Sequence, residues 1–271
     1  MTCSRLVILA AVCALSCPAL AFAQEDDPDR DLQLSQPDFT VVNLPTTLRV
    51  PRYKSAFRVT HRFARPLGVG TFSELVEDLF GLDNGAQIGL VYRFGIMRGT
   101  QIGIYRTSNR TIEFFAEYNA LQQRDNGVIG LNVIGTIEGL DNFTESYSPA
   151  IGVVVSRELG SHGALYFEPI WVNNSNPLPS ELVEDNSTFL IGLGARLRIR
   201  PTVYLVGEFI PRVGYDPGVT YGSFGIEKRA GGHVFQLNFS NGIGTTMAQL
   251  ARGGTGTEDW YIGFNISRKF F

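Results

Sequence analysis

Few side chains in this sequence have the types and spacing that chemistry requires. Ser240, in Asn238-Phe239-Ser240-Asn241-Gly242, is the most suggestive nucleophile. A serine needs a base to take its proton. Asn238 cannot serve as one near neutral pH. His233 lies seven residues away, about 23 Å along an extended strand. The string reads instead as a strand end running into an Asn-Gly turn. The histidines are His61, His162 and His233, and neither a His-x-x-His pair nor an acidic triplet with ligand spacing accompanies them, so no metal site is expected. Asp83-Asn84-Gly85 and Asp125-Asn126-Gly127 have turn chemistry and lack the repeated acids of a calcium loop. Gly253-Gly254-Thr255-Gly256-Thr257 lacks the Lys-Ser/Thr that completes a phosphate loop and reads as a flexible loop. The expectation is a chain without catalytic residues, metal or cofactor.

A second set of polar residues is more informative. Arg58, Arg62, Arg93, Glu113, Glu117, Arg196, Arg198, Glu208, Glu227, Gln236 and Asn238 stand where every second neighbour is apolar. Gln87, Gln101, Asn119, Asn265 and Ser267 share that parity. Side chains two apart lie on one face of a strand, so long strands must position them.

Strands of that kind run through the chain. Phe189, Ile191, Leu193, Ala195, Leu197 and Ile199 alternate with Thr188, Gly192, Gly194, Arg196 and Arg198. Trp260, Ile262, Phe264 and Ile266 alternate with Tyr261, Gly263, Asn265 and Ser267. About twelve such runs can be counted, centred near 57–64, 86–94, 100–107, 110–120, 127–137, 149–157, 163–172, 187–199, 202–211, 222–229, 232–240 and 259–270. Many reach the ~9–11 residues that a tilted strand needs to cross a bilayer. Links after the even runs are short. Those after the odd runs are long: Arg65–Gly85, Glu138–Ser148, Asn173–Asn186, Arg212–Tyr221 and Asn241–Glu258, with Ser108-Asn109 the exception. Short turns on one side and long loops on the other are the pattern of an outer-membrane barrel with both termini on the periplasmic side. Phe72 to Phe80 reads as a short helix with an apolar stripe at Leu75, Val76 and Leu79, placed over the barrel mouth.

The start and composition of the chain fit this reading. Residues 1–23 combine Arg5, an apolar run from Leu6 to Leu15 and Ala21-Phe22-Ala23, a signal peptide cut after Ala23. Cys3, Cys13 and Cys17 all fall inside it, which leaves no thiol for disulfides or catalysis. A lipobox at Ala14-Leu15-Ser16-Cys17 is disfavoured by Ala14 and Pro18. Residues 24–38 are acidic and punctuated by proline, a flexible leader. Only 18% of the 271 residues are charged and the net charge is −3, so there is no basic field for nucleic acid. The chain ends Arg268-Lys269-Phe270-Phe271. The alternation makes Phe270 the in-register terminal aromatic, with Phe271 one residue beyond.

The residues also carry a family resemblance. VVNLPTTLRVPRYKSAFRVTHRFARPL, DLFGLDNGAQIGL, GTQIGIYRTSNRTIEFFAEYNAL, GGHVFQLNFSNGIGTTMAQ and IGFNISRKF resemble the bacterial outer-membrane β-barrel family known as domain of unknown function 5777. The resemblance runs from about Val41 to Phe270. It implies a barrel and implies no activity. The stretch around Ser240 is also similar to the His-x-Ser-Asn-Gly string of outer-membrane phospholipases, with Asn238 where those enzymes have histidine.

The expectations are then specific. The fold is an all-β transmembrane antiparallel up-and-down barrel of about 12 strands. Residues 1–23 are the signal peptide, 24–54 a periplasmic leader or lumen segment, and 55–271 the barrel. Its polar face lines the lumen, where either the arginines and glutamates pair and close it, or an arginine stripe selects an anionic solute. A small channel or transporter for a small polar solute is the leading function. A closed scaffold acting through its long loops comes second, and a lipid hydrolase a distant third. The expected partners are outer-membrane lipid, the barrel-assembly machinery through the last strand, and the solute. The barrel is expected to be a monomer in the bacterial outer membrane.

Overall fold

In hydrocarbon every backbone N–H and C=O must find a partner within the protein, so spanning strands have to close on themselves. The computed structural model of the chain does this. It describes residues 30–78, 85–123, 127–176, 178, 182–183, 186–215 and 218–271. The expected signal peptide and the start of the expected leader lie outside them.

The strands are β1 (Ser55–Phe63), β2 (Ala86–Met97), β3 (Thr100–Thr107), β4 (Ile112–Leu121), β5 (Gly130–Leu140), β6 (Glu145–Glu158), β7 (Gly163–Val172), β8 (Thr188–Arg200), β9 (Val203–Ile210), β10 (Arg212–Val213), β11 (Tyr221–Ala230), β12 (His233–Ser240) and β13 (Tyr261–Lys269). Two short helices, α1 (Phe72–Glu77) and α2 (Met247–Ala251), interrupt the loops. The two-residue β10 continues β9 past Pro211 and pairs with the same neighbour, β8. The other twelve are each antiparallel to their neighbours in sequence, and β1 pairs with β13 from Ala56↔Lys269 to Arg62↔Gly263. The sheet is a closed twelve-stranded up-and-down barrel with no free edge.

All twelve sequence runs correspond to spanning strands. The alternation that marked them is the alternation of burial, as in β2, where Gln87, Gly89, Val91 and Arg93 face inward while Ile88, Leu90 and Tyr92 are exposed outside. Inward glycines make room for rings from the next strand. A Cβ on Gly89 would stand 2.3 Å from the Tyr105 ring, and one on Gly103 would stand 2.2 Å from Phe115. Val91, Tyr105 and Phe115 pack together in the space this leaves.

One end of the barrel, where β1 begins and β13 finishes, carries tight links such as Arg98-Gly99, Pro201-Thr202 and Gly231-Gly232. This turn end differs from the opposite, loop end, as expected. One long loop is absent, however. β5 and β6 extend their pairing to Leu140↔Glu145, so the expected Glu138–Ser148 link shrinks to Asp141–Thr144. That turn is made by Asp141, Asn142 and Phe143 at φ 45°, 61° and 68°; asparagine and aspartate tolerate this left-handed region. Phe143 is further held by edge contacts to Phe114 and Tyr147 at 5.1 Å each.

The first long loop does hold a helix. α1 is capped by Thr71 and Glu74 in a reciprocal box. Val76 of the expected stripe is exposed, as is Phe72; Leu79 and Phe80, and the side chain of Leu75, lie outside the described residues. The helix that enters the barrel is α2, buried along its whole length. The Gly253–Thr257 stretch after it is pinned rather than loose: Gly254 N donates to the Val219 carbonyl (3.2 Å) and Thr255 N to the Asn241 carbonyl (2.9 Å).

Candidate functional site: the occupied lumen

An eight-stranded barrel is just narrow enough for its own side chains to fill it, and width grows with strand number. Twelve strands leave space, and here the chain itself occupies it. The segment preceding β1 folds into the lumen from the turn end. Phe39, Val41, Val42, Leu44, Leu48 and Val50 are all buried. It forms a re-entrant hairpin without joining the sheet: Val41 N donates to the Leu44 carbonyl (2.8 Å), and Thr46 N to the Phe39 carbonyl (2.9 Å). Ser35 and Gln36 reach Glu158 near one rim. The tip, Val42–Leu44, reaches toward the loop end, where Asn43 donates to Tyr221 Oη (3.0 Å).

The wall holds this segment largely by its main chain. Glu208 Oε1 accepts from three successive amides, Val42 (2.6 Å), Asn43 (2.7 Å) and Leu44 (2.7 Å). Donors grip the carbonyls: Arg196 that of Thr40 (2.8 Å), Gln236 that of Val41 (2.7 Å), Arg58 that of Val42 (2.6 Å), with Asn265 also on Val42 (3.2 Å). On the returning arm Asn132 donates to the Thr46 carbonyl (3.3 Å), and Val50 N donates to Gln101 Oε1 (3.2 Å). Side chains add to this. Asp38 pairs with Arg58 (3.2 Å) and accepts from Ser267 (2.7 Å); Arg62 donates to Asn43 Oδ1 (2.9 Å).

The expected lumen residues mostly meet here. Arg58, Arg62, Arg93, Glu113, Glu117, Arg196, Glu208, Glu227, Gln236 and Asn238 are all buried. Of the two arrangements left open, the lumen has the paired one: Arg93–Glu117 (2.5 Å), Arg196–Glu227 (2.9 Å) and Arg58–Asp38. Arg198 is not part of it. At the last turn of β8 its guanidinium reaches the rim and donates to the Pro201 carbonyl (3.2 and 3.1 Å), so no Arg196/Arg198 stripe exists. Ser240 Oγ donates to the Gly242 carbonyl (2.7 Å), and Asn238 donates to Gln236 Oε1 (3.3 Å). His61 faces outward, stacked on Phe264 at 4.7 Å, and His233 outward on Phe235 at 5.8 Å.

Alternation did not reveal the rest of the wall. Ile134, Ala150, Val154, Ile170, Val172, Leu190 and Ile210 point inward as an apolar sector on β5 to β9. Against it lies α2, through Met247, Ala248, Leu250 and Ala251, joined by Leu44 of the re-entrant hairpin. Polar groups fix the ends of α2. Glu113 accepts from Met247 N (2.7 Å), Glu138 accepts from Thr246 and pairs with Arg252 (3.0 Å), and Gln87 donates to Gln249 Oε1 (2.8 Å). An acid at a helix N-terminus meets unpaired amides and the positive end of the dipole. Between hairpin, α2 and β1–β5 a cavity of about 60 Å³ remains, lined by Asp38, Arg93, Tyr105, Glu117 and Met247 among others.

Glu138 and Glu168 also point inward and escaped the sequence reading, Glu138 because it was counted in the Glu138–Ser148 link and Glu168 because it stands alone among apolar neighbours. Glu168 is fully buried on β7, opposite Gly192, and neither carboxylate oxygen has a hydrogen-bond partner among the described residues.

A closed barrel with an apolar outer band and a polar, occupied lumen defines an integral membrane β-barrel of outer-membrane type. The profile of the membrane-bound β-barrel domain family DUF5777 matches residues 38–270, and the chain belongs to that family. The match starts at Asp38, within the re-entrant hairpin. No curated protein sequence matches the chain. Among solved structures the NanC porin superposes with a TM-score of 0.52 at 7% identity, over 80% of this chain and 99% of that one. Outer membrane protein Omp33 of Acinetobacter baumannii gives 0.46 at 8% over 82% and 100%, and an outer membrane channel from Pseudomonas putida F1 gives 0.45 at 11% over 82% and 97%. At such identities the NanC likeness shows the fold alone.

Proposed function

We propose that the protein is a channel for a small polar solute in the bacterial outer membrane, exported with a signal peptide cut after Ala23, and that the occupied lumen is its closed state. One observation carries this reading. The lumen is filled by a separate segment that joins no strand, so its hydrogen bonds to the wall and the apolar contacts of Val41, Val42 and Leu44 can break with the barrel's own strand ladder intact. Both its arms reach the turn end, which is periplasmic, and water entering from there can replace each lost hydrogen bond. The wall left behind is polar along β1–β4 and β11–β13, as a water-filled pore requires. The pairing of Arg93 and Arg196 with the wall carboxylates Glu117 and Glu227 favours a neutral or zwitterionic solute over an anionic one.

Single-channel recording on the refolded full chain tests this, with heat-modifiable gel mobility as the folding check. The wild type should be closed for most of the record. Glu208→Ala, which removes the acceptor of three hairpin amides, should open discrete steps. A folded Glu208→Ala barrel whose hairpin exchanges freely yet passes no current would make the protein a closed scaffold.

A further inference from the structure

The way the wall contacts the hairpin identifies a ligand class for the lumen. Glu208 takes three consecutive amides, while Arg196, Gln236 and Arg58 take three consecutive carbonyls, Thr40 to Val42. These are atoms that any peptide possesses. The same donors and acceptors suit a simple anion poorly, because Glu208 and Glu227 would face it beside the arginines. They match the backbone of a peptide turn, whose successive N–H groups converge on one acceptor as those of Val42–Leu44 do on Glu208.

A second, independent feature points to one side chain of that ligand. Glu168 is fully buried with both oxygens unpartnered. It borders the position of Leu44: a Cβ on Gly192 would meet Leu44 Cδ2 at 2.8 Å and Glu168 Cβ at 3.1 Å. A buried carboxylate without a donor is costly, and the hairpin places a leucine beside it. The wall therefore has an acceptor that its tethered occupant leaves unused. A lysine or arginine at that position would supply the missing donor.

We propose that the lumen is a binding site for an oligopeptide that turns back on itself with a basic side chain over Glu168, and that residues 38–48 are its tethered, imperfect occupant. This rests on the channel reading for the peptide's passage, but not for its binding.

The first test keeps the chain whole. In full-length Leu44→Lys the new ammonium reaches Glu168, and the Val42–Leu44 amides should exchange about tenfold more slowly than in wild type. The gain should vanish in Leu44→Lys with Glu168→Gln. Unchanged or faster exchange in Leu44→Lys would overturn the assignment of Glu168. The second test uses full-length Leu44→Asp, which buries a second acid beside Glu168 with no donor for either and so displaces the hairpin. Three synthetic peptides are added from the turn end: Asp38–Leu48, the same with lysine in place of Leu44, and that lysine peptide N-methylated at the Val42, Asn43 and lysine amides. Anisotropy of labelled peptide reads binding in detergent, and block of single-channel current reads it in a bilayer. The lysine peptide should bind at about tenfold lower concentration than the parent, and the N-methylated one should not bind. Equal binding of all three, or of none, would overturn the proposal. Lysine-peptide binding to a barrel that passes no current would keep the site and reject the channel.

Discussion

The two sectors of the lumen wall solve the same problem, filling a wide barrel, in different ways. Polar groups hold the re-entrant hairpin: Arg58, Gln101, Gln236 and Asn265 from the polar sector on β1–β4 and β11–β13, joined by Asn132, Arg196 and Glu208 of β5, β8 and β9. The apolar sector, on β5–β9, holds α2 by burying Met247, Ala248, Leu250 and Ala251. Burying a large apolar side chain is worth roughly 1.5–3 kcal/mol, and water offers nothing in exchange when the contact opens. A hydrogen bond contributes roughly 0.5–1.5 kcal/mol net, because water can take either partner's place. On the channel reading proposed above, α2 is structure and the hairpin is the part that exchanges, although its buried Phe39, Val41, Val42, Leu44, Leu48 and Val50 oppose its release.

The sharpest way to break this comparison is to treat the fixed part as removable. Leu250→Asp puts an unpaired carboxylate into the apolar sector. It should cost about 4 kcal/mol and expose the α2 loop to protease at the loop end. A variant as heat-stable and protease-resistant as wild type would erase the distinction. Next comes Glu208→Ala, which leaves three amides without their charged acceptor. Loss of about 3 kcal/mol of hairpin docking should appear as amide exchange at Val42–Leu44 roughly a hundredfold faster, with the barrel's thermal transition little changed. Parallel loss of barrel and hairpin would show that the two open together.

Smaller effects sharpen the boundary. Glu113→Ala removes the acceptor for Met247 N at the start of α2 and should lower the unfolding free energy by about 1 kcal/mol. Hairpin exchange should not respond. The least effect is expected at α1, outside both sectors. The backbone amide of Thr71, then its hydroxyl, hold the Glu74 carboxyl below the usual range. A depressed folded value means the cap is fully present at neutral pH and above the ordinary glutamate range, and is lost as pH falls through the lowered value. Protection factors in Phe72–Glu77, which take out the intrinsic pH dependence of exchange, should therefore fall on acidification while those at Val42–Leu44 respond far less.

What was legible in the sequence followed from local periodicity. Each strand carried its own two-residue alternation, so all twelve were visible, and parity placed ten of the eleven marked polar residues in the buried lumen. Arg198 failed because parity assigns a face and not a depth; one residue pair from the rim, a long side chain reaches the Pro201 carbonyl instead. The β5–β6 hairpin was misjudged because glycine and polar residues near Leu140 look like loop, although neighbouring strands can pair through them. α2 went unseen because five residues in a glycine-rich loop carry no helical period.

The sequence by itself determined a membrane β-barrel, its strands, its two unlike ends and the polarity of its inner face, because each is set by neighbours two residues apart. Only the tertiary structure decided what fills the barrel. Whether Arg58 meets an anion, a glutamate or the carbonyl of Val42 depends on a segment outside the sheet, and no alternation encodes which chain atoms will satisfy a buried charge. The same holds for Glu168, whose lack of a partner is a property of the closed lumen and of no stretch of sequence.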